Sequence, residues 1–509
     1  MAPDRSRPNV LWVMTDQHRA DLTDPDGYGP TVMPTLTGLA ARGTSFERAH
    51  TSAPACVPAR VSLLTGRYPS AHQVRQNSND REAFFGEDLI DVFDRAGYET
   101  FFHGKPHMHR KADAVDHFSG PYMHTNGPER DPVHAQFDQW LGELDHSVAE
   151  EATPYPVEAQ LPHRIVDDAL AEIHAARPDG PSEVPFFCWV SFPEPHNPYQ
   201  APEPYWSMFT ELAEGHQRHA GPEVVDQLSW RYRWLRELIE SKRPGYDEHW
   251  RRYLSTYLGM LRMVDDQIAR LLDGLGPHLD NTIVVFLADH GDYVGEYGLQ
   301  RKGAGLPEVL TRIPLVMAGP GVPVGQVRQE CVSIVDVMPT ICGLIDQELP
   351  IGVQGRDLTP LFDDSRDPGE EFTTGYVELG YGGLEYGADA RPELHFPYEG
   401  RTFDELNSVT QSGQERSVQR GSMKLVMDQA GTTWLYDLDR DPAEVTNLAD
   451  DPEHAATLAE LTQWLARWMM RLGDDLPVGR YTPRIAAHNW RWAEPPSSDD
   501  TGHRSGTRK

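Results

Sequence analysis

Cysteine is scarce in this chain, with 4 among 509 residues, at Cys56, Cys188, Cys331 and Cys342. These are too few and too scattered for a disulfide framework or a zinc cluster. Positive charge is short as well: 46 Lys and Arg stand against 78 Asp and Glu, a formal net charge of −32. That balance argues against a phosphate backbone or an anionic membrane as partner, so neither nucleic acid nor membrane is expected. It also obliges an anionic substrate to find a local positive pocket. No uninterrupted apolar run is long enough to span a bilayer. Residues Met1 to Pro8 carry Asp4, Arg5 and Arg7 and lead directly into an apolar stretch, without the apolar core of a signal peptide. The expectation is a soluble, cytoplasmic protein, in a compartment that keeps thiols reduced. No internal repeat is found.

A chain of this length can bury a large core, as two or more domains or as one domain with insertions. Short apolar runs recur, and each ends in polar groups. Val10 to Met14 ends in Thr15-Asp16-Gln17. Gly97 to Phe102 ends in His103-Gly104-Lys105-Pro106-His107-Met108-His109. Pro185 to Phe192 ends in Pro193-Glu194-Pro195-His196-Asn197. Thr282 to Leu287 ends in Ala288-Asp289-His290-Gly291-Asp292. Continuous apolar runs of this length read as buried parallel strands. In open α/β sheets ligands bind at the carboxyl ends of such strands. Asp16 offers a carboxylate and Gln17 an amide oxygen to a hard cation, although Asp16 also suits a helix cap. Asp289 closes another strand, so the two aspartates can meet at one sheet edge and flank an ion. Helical spacing runs from Val157 to Ala176 and from Leu254 to Leu275, where Gly276 supplies the stop. Trp230 and Trp234 sit at helical spacing in the Trp206 to Trp250 region, a packing seam, lid or subunit contact.

After Arg356 the texture changes. Asp363 to Glu371 reads as a linker, and Tyr376 to Tyr398 as an aromatic loop over the site. Ser422 to Met427 and Thr433 to Leu438 read as antiparallel strands, and about Glu453 to Leu472 as a helix. The division expected is a catalytic domain over 1–362, a subdomain over 372–480, and a disordered tail over 495–509.

The most informative stretch is Cys56-Val57-Pro58-Ala59-Arg60-Val61-Ser62-Leu63-Leu64-Thr65-Gly66. Thr51 to Ala55 reads as a loop, and from Ala59 the residues suit a helix that Gly66 ends. Cys56 thus falls at a loop-to-helix junction, where free amides and the helix dipole favour a thiolate or oxyanion. The pattern Cys-x-Pro-x-Arg, followed by Ser62, Leu63, Thr65 and Gly66, resembles the sulfatase family, and the resemblance extends over most of the chain.

The resemblance implies an α/β, alkaline-phosphatase-like fold: a central, mostly parallel sheet flanked by helices, with a smaller carboxyl-terminal α+β subdomain. It implies that a formylglycine-generating enzyme oxidises Cys56 to formylglycine. It implies one divalent ion, calcium in preference to manganese, held by Asp16, Gln17, Cys56, Asp289 and His290. Gln17 departs from the aspartate the family more often has there, and an imidazole at position 290 suits manganese or zinc better than calcium. The catalytic set implied is Cys56, Arg60, Lys105, His107, His196 and Lys302, with Lys105 and His107 in a Gly-Lys-x-His motif and His196 in a His-x-Pro loop. The activity implied is arylsulfatase-like hydrolysis of a small sulfate monoester to an alcohol and inorganic sulfate, through the hydrated aldehyde. A phosphonate monoester or phosphodiester hydrolase of the same superfamily is the rival, and a non-catalytic anion-binding protein a more distant one. Aryl, sugar, choline and other alkyl esters all stay open, as does a homo-oligomer.

Overall fold

The computed structural model describes residues 7–77, 80–144, 148–363, 365–382 and 412–473. Val10 to Met14 are all 0 % exposed. Their strand, β1 (Asn9–Asp16), lies between two parallel neighbours and has neither face open to water. The other strands of this sheet are β2 (Thr44–His50), β3 (Glu99–Gly104), β4 (His117–Ser119), β5 (Phe186–Pro195), β6 (Thr282–Ala288), β7 (Leu315–Ala318) and β8 (Gln326–Ser333). Their order is β4-β3-β5-β1-β6-β7-β2-β8, and only β7 runs antiparallel to its neighbours.

The period of two splits each strand between two cores. Leu11, Val13, Cys188, Val190 and Phe286 face one side. Val10, Trp12, Met14, Trp189 and Val285 face the other. The first core is covered by helices Leu161–Ala176 and Trp250–Leu275, whose apolar stripes include Ile165, Ile173, Leu258 and Leu261. The second is covered by helices Cys56–Thr65, Leu89–Arg95 and Val337–Leu344. Tyr232, Leu235 and Ile239 join the first core, so the helix Trp230–Lys242 is a packing element.

A second sheet is antiparallel: β9 (Thr374–Gly382), β10 (Gly413–Arg420), β11 (Met423–Asp428) and β12 (Thr433–Asp437) pair in the order β12-β11-β10-β9. The helix Ala455–Gly473 sends Leu461, Leu465 and Trp468 into the second core, where Trp468 meets Tyr68 edge to face. Trp468 stacks on Tyr376 at 5.4 Å, and its indole N–H donates to Thr374 Oγ1 at 3.0 Å. Among the described residues, no helix is long and apolar enough to cross a membrane.

Several elements differ from the sequence expectation. β2, β4 and β8 were not expected as strands. β8 alternates half-buried and exposed positions along its first half and sits at the sheet edge, so it carries no apolar run. Tyr376 to Gly382, expected to begin a loop, belong to β9 instead, with Tyr376, Val377 and Leu379 buried. The rest of the aromatic stretch to Tyr398, the tail from Pro495 and residues 474–480 lie outside the described residues. The helix at Cys56 begins at Cys56 itself, not at Ala59.

Register brings the strand ends level. Asp16 pairs with Pro195, Thr15 with Ala288, and Gly104 with Ser191. Gly104 has φ 115, and a Cβ built there lies 1.9 Å from the Ser191 carbonyl oxygen. Only glycine lets β3 run this close to β5 while delivering Lys105 to the edge. Gly104→Ala is expected to lower stability by at least about 2 kcal/mol through the left-handed φ and the clash. Urea unfolding monitored by circular dichroism measures this, and an unchanged midpoint would contradict the packing described.

Candidate active site

Cys56 is the first residue of its helix, and the capping position, Ala55, offers no side-chain cap. Gly66 ends the helix in the left-handed conformation at φ 62. One turn after Cys56, and on the same face, stands Arg60. Its guanidinium is fully buried. Nε donates to Asp289 Oδ2 at 2.9 Å and Nη2 to Asp16 Oδ2 at 2.9 Å. Nη1 donates to the Lys105 carbonyl at 2.9 Å and to Ser191 Oγ at 2.7 Å. One side chain therefore ties the ends of β1, β3, β5 and β6 together.

Cys56 Sγ lies 3.5 Å from Asp16 Oδ1, 3.4 Å from His290 Nε2 and 3.9 Å from Lys105 Nζ. The helix junction was expected to favour a thiolate, but the structure reverses this. Burial, with Asp16 beside it, pushes the Cys56 thiol up to about 12, outweighing Lys105 and Lys302. One free amide at the start of the helix is also taken, since Val57 N–H donates to Asn77 Oδ1 at 3.0 Å. An unmodified Cys56 is a protonated thiol at neutral pH.

Donor atoms of Asp16, Cys56, Asp289 and His290 all lie within 4.8 Å of one another. Burial pushes the Asp16 carboxyl up, but Lys105 and Arg60 outweigh it and hold the group well below the usual range. Burial and the charge on Asp16 push Asp289 up, to about 6. Two adjacent buried carboxylates, one ionised and one strained by it, form a donor set that a divalent cation satisfies. Burial and the Lys302 charge keep His290 neutral. Its Nδ1 lies 2.8 Å from the Gly291 carbonyl, which can only accept. The proton is therefore on Nδ1, and the Nε2 lone pair faces Sγ and the carboxylates. Gln17 directs Oε1 to Lys302 Nζ at 2.7 Å.

The three N–H bonds of Lys105 are matched by three acceptors: Asp16 Oδ2 at 2.5 Å, His124 Nδ1 at 3.3 Å and Cys56 Sγ at 3.9 Å. His196 stacks on His124 with centroids 3.6 Å apart, and its Nδ1–H donates to the Asn197 carbonyl at 2.8 Å. His107 meets His124 edge to face at 5.6 Å. The structure thus gathers Asp16, Gln17, Cys56, Arg60, Lys105, Asp289, His290 and Lys302 into one contact network, with His107 and His196 reaching it through His124. His103 points away, to Ser119 Oγ at 2.7 Å, and His109 to Asp88 at 2.8 Å.

The sequence reading missed two participants. His124 lies in a loop with no motif. Asp292 was visible beside Asp289 but had no assigned partner; its carboxylate accepts from Gln17, Tyr199 and Tyr253. Non-glycine residues with positive φ cluster here: Gln17 at 67, His107 at 27, Val294 at 45, Tyr297 at 57 and Arg301 at 62. Such clusters mark sites where packing overrides local preference.

The sulfatase family model matches residues 8–347, which contain every residue of this network. The chain belongs to the sulfatase family. It is 29 % identical over 524 residues to the multifunctional alkaline phosphatase superfamily protein PehA of Trinickia caryophylli, covering 92 % of this chain and 96 % of that one. It is 27 % identical over 493 residues to the choline-sulfatase of Rhizobium meliloti, covering 92 % of this chain and 88 % of that one. The fold matches the phosphonate monoester hydrolase of Agrobacterium radiobacter with a TM-score of 0.74 at 22 % identity, over 94 % of this chain and 100 % of that one. Family membership makes the chain a hydrolase of the sulfatase type, with the alkaline-phosphatase-like fold expected from the sequence.

Burial also sets a pH dependence of stability. Burial pulls His18 and His103 down to about 3, and His72 well below its ordinary value. These groups are neutral when folded, while the unfolded chain takes up their protons near pH 6.5. Stability is therefore full above about pH 6.5 and falls as pH drops, by about 2 kcal/mol for each such histidine at pH 5. Glu194, pushed up to about 8 by burial, Glu444, to about 7, and Asp265 and Asp289, to about 6, act in the opposite sense, while His107, His124 and His290, held well below their ordinary value by burial, add to the histidine side. Urea midpoints at pH 5, 6 and 7 are expected to rise in that order, and a flat series would refute this.

Proposed function

We propose that the chain hydrolyses a sulfate monoester to an alcohol and inorganic sulfate, using a formylglycine made from Cys56 by a formylglycine-generating enzyme. The observation that supports this most is the setting of Cys56: a buried, protonated thiol, hence a poor nucleophile, held between Asp16, His290 and Lys105. Hydrated, the aldehyde supplies a hydroxyl to attack sulfur and a second whose deprotonation lets sulfate leave. Asp16, Gln17, Asp289, His290 and residue 56 would hold a divalent cation, which would supply positive charge beside the reacting oxygens.

The side chains account for the rest. Arg60 fixes the spacing of the two carboxylates. Lys105 and Lys302 approach residue 56 as fixed cations for the sulfate oxygens, at no reorganisation cost during reaction. His196 keeps its Nδ1–H on the Asn197 carbonyl, and in its doubly protonated form it gives the Nε2 proton to the leaving alcohol and is left as the neutral Nδ1–H imidazole. His107 completes the pocket wall beside His124. Calcium is the ion the family resemblance implies, and manganese is the rival that a neutral imidazole and only two carboxylates support. A cytoplasmic location would keep Cys56 reduced until its conversion.

Phosphonate monoester or phosphodiester hydrolysis is the second reading, because the charge balance of the site admits it equally. Three cationic side chains, Arg60, Lys105 and Lys302, oppose two carboxylates. That modest excess suits a monoanionic ester of either element. An aryl sulfate compared with an aryl phosphonate separates the two, and the higher kcat/KM names the reaction.

Co-expression with a formylglycine-generating enzyme is expected to convert Cys56, read as the mass change from thiol to aldehyde. Cys56→Ser should keep the fold and lose multiple turnover by at least about 10³-fold, since a serine ester has no second hydroxyl with which to break down. Full turnover in Cys56→Ser, or in wild-type protein with an intact thiol, would overturn the proposal.

A further inference from the structure

We propose that Asp292 is a positioning residue for the cation site: it holds the Gln17 amide with its oxygen turned inward, and the Gln17–Asp292 pair keeps a third carboxylate out of the ligand set. The inference deepens the reading above and rests on it for the presence of the ion.

Asp292 is 0 % exposed. Its Oδ2 accepts from Gln17 Nε2 at 2.6 Å and from the Tyr199 hydroxyl at 2.7 Å. Its Oδ1 accepts from the Tyr253 hydroxyl at 2.6 Å, from Val294 N–H at 2.8 Å and from Arg301 N–H at 2.9 Å. A carboxylate only accepts, so the end of Gln17 facing Asp292 is the amino group. An ammonium only donates, so the end facing Lys302 at 2.7 Å is the oxygen. Two independent partners fix the same orientation.

The backbone of Gln17 is held as firmly. Its N–H donates to Asp289 Oδ1 at 3.0 Å, and its carbonyl accepts from the Tyr257 hydroxyl at 2.6 Å. These contacts keep a non-glycine residue at φ 67. A carboxylate at position 17 would lie against the Asp292 carboxylate with no water between them, a costly like-charge contact. The residue opposite Asp292 must donate on one side and accept on the other, and an amide does both. The departure from aspartate at position 17 is thus coupled to Asp292, and the pair fixes the ligand set at two carboxylates.

The Asp292→Asn variant has a defined outcome. Tyr253 and two backbone amides demand an oxygen at the Oδ1 position, so the introduced amino group falls opposite Gln17. Gln17 must then turn over and present its own amino group to Lys302 and the ion. In the double variant Gln17→Glu/Asp292→Asn, the roles at the two positions are exchanged. One oxygen of the carboxylate introduced at position 17 accepts from the amide introduced at position 292. The other oxygen faces inward, so the oxygen ligand returns.

Full-length protein as wild type, Asp292→Asn, Gln17→Glu and the double variant is titrated with Mn²⁺ and with Ca²⁺ by calorimetry, with Mn²⁺ electron paramagnetic resonance as a second readout. Each single variant is expected to bind Mn²⁺ about 10- to 100-fold more weakly. The double variant is expected to recover to within about 3-fold of wild type and to gain Ca²⁺ affinity relative to Mn²⁺. Unchanged Mn²⁺ affinity in Asp292→Asn, or losses that simply add in the double variant, would overturn the proposal. If Asp292→Asn does not fold, Tyr253→Phe removes one donor from the carboxylate and is expected to weaken Mn²⁺ several-fold; no change there overturns it equally. Failure of the wild type to bind either ion overturns the cation site itself, an outcome distinct from a failed cycle.

Discussion

The Arg60 guanidinium, clamped between Asp16 and Asp289, is the interaction on which the site depends. Two carboxylates at the ends of adjacent parallel strands repel one another once water is excluded. Arg60 offers a planar fork that reaches both carboxylates at 2.9 Å while its third nitrogen ties down Lys105 and Ser191. A lysine could not make these four contacts in fixed geometry. Removing a buried charge from such a network leaves its partners uncompensated, a larger loss than the net contribution of the pair. The same side chain sits one turn from Cys56, so the geometry of the helix and that of the strand ends are set together.

Burial then overrules the helix dipole at Cys56. A dipole is worth about 0.3–1 kcal/mol at a helix end, whereas complete desolvation shifts an ionisable group by several times that. Asn77 takes up one of the free amides as well. The thiol is left protonated and a poor nucleophile. The charge layout around it follows the same logic: Asp16 keeps its charge because Lys105 and Arg60 face it, and Asp289 is raised by burial and by the charge on Asp16. A cation placed between these carboxylates would relieve the least favourable contact in the site.

Orientation, more than composition, distinguishes this site. His290 and Gln17 can each present either of two faces, and in both cases a partner with only one hydrogen-bonding role decides which. The Gly291 carbonyl turns the His290 lone pair inward. Asp292 and Lys302 turn the Gln17 oxygen inward. Backbone strain at Gln17, Val294 and Arg301 accompanies these choices, and the dense hydrogen bonding of Asp292 holds it in place.

The buried strands were legible because apolar runs such as Val10–Met14 and Thr282–Leu287 leave a parallel strand as the natural reading, with polar residues at its end. The strand-end positions of Asp16, Lys105, His196 and Asp289 were legible for the same reason, whereas Cys56 was singled out by the resemblance of its motif to the sulfatase family. Edge strands such as β8, which is half exposed and has no apolar run, were not. Neither were His124, whose role exists only through its contacts with Lys105 and His196, nor Asp292, whose partners Gln17 and Tyr199 lie 275 and 93 residues away. Local sequence by itself determined which residues lie at strand ends, because periodicity and turn chemistry act over a few positions. Only the tertiary structure decided their protonation and orientation, because desolvation and hydrogen-bond role depend on groups that folding brings from far along the chain.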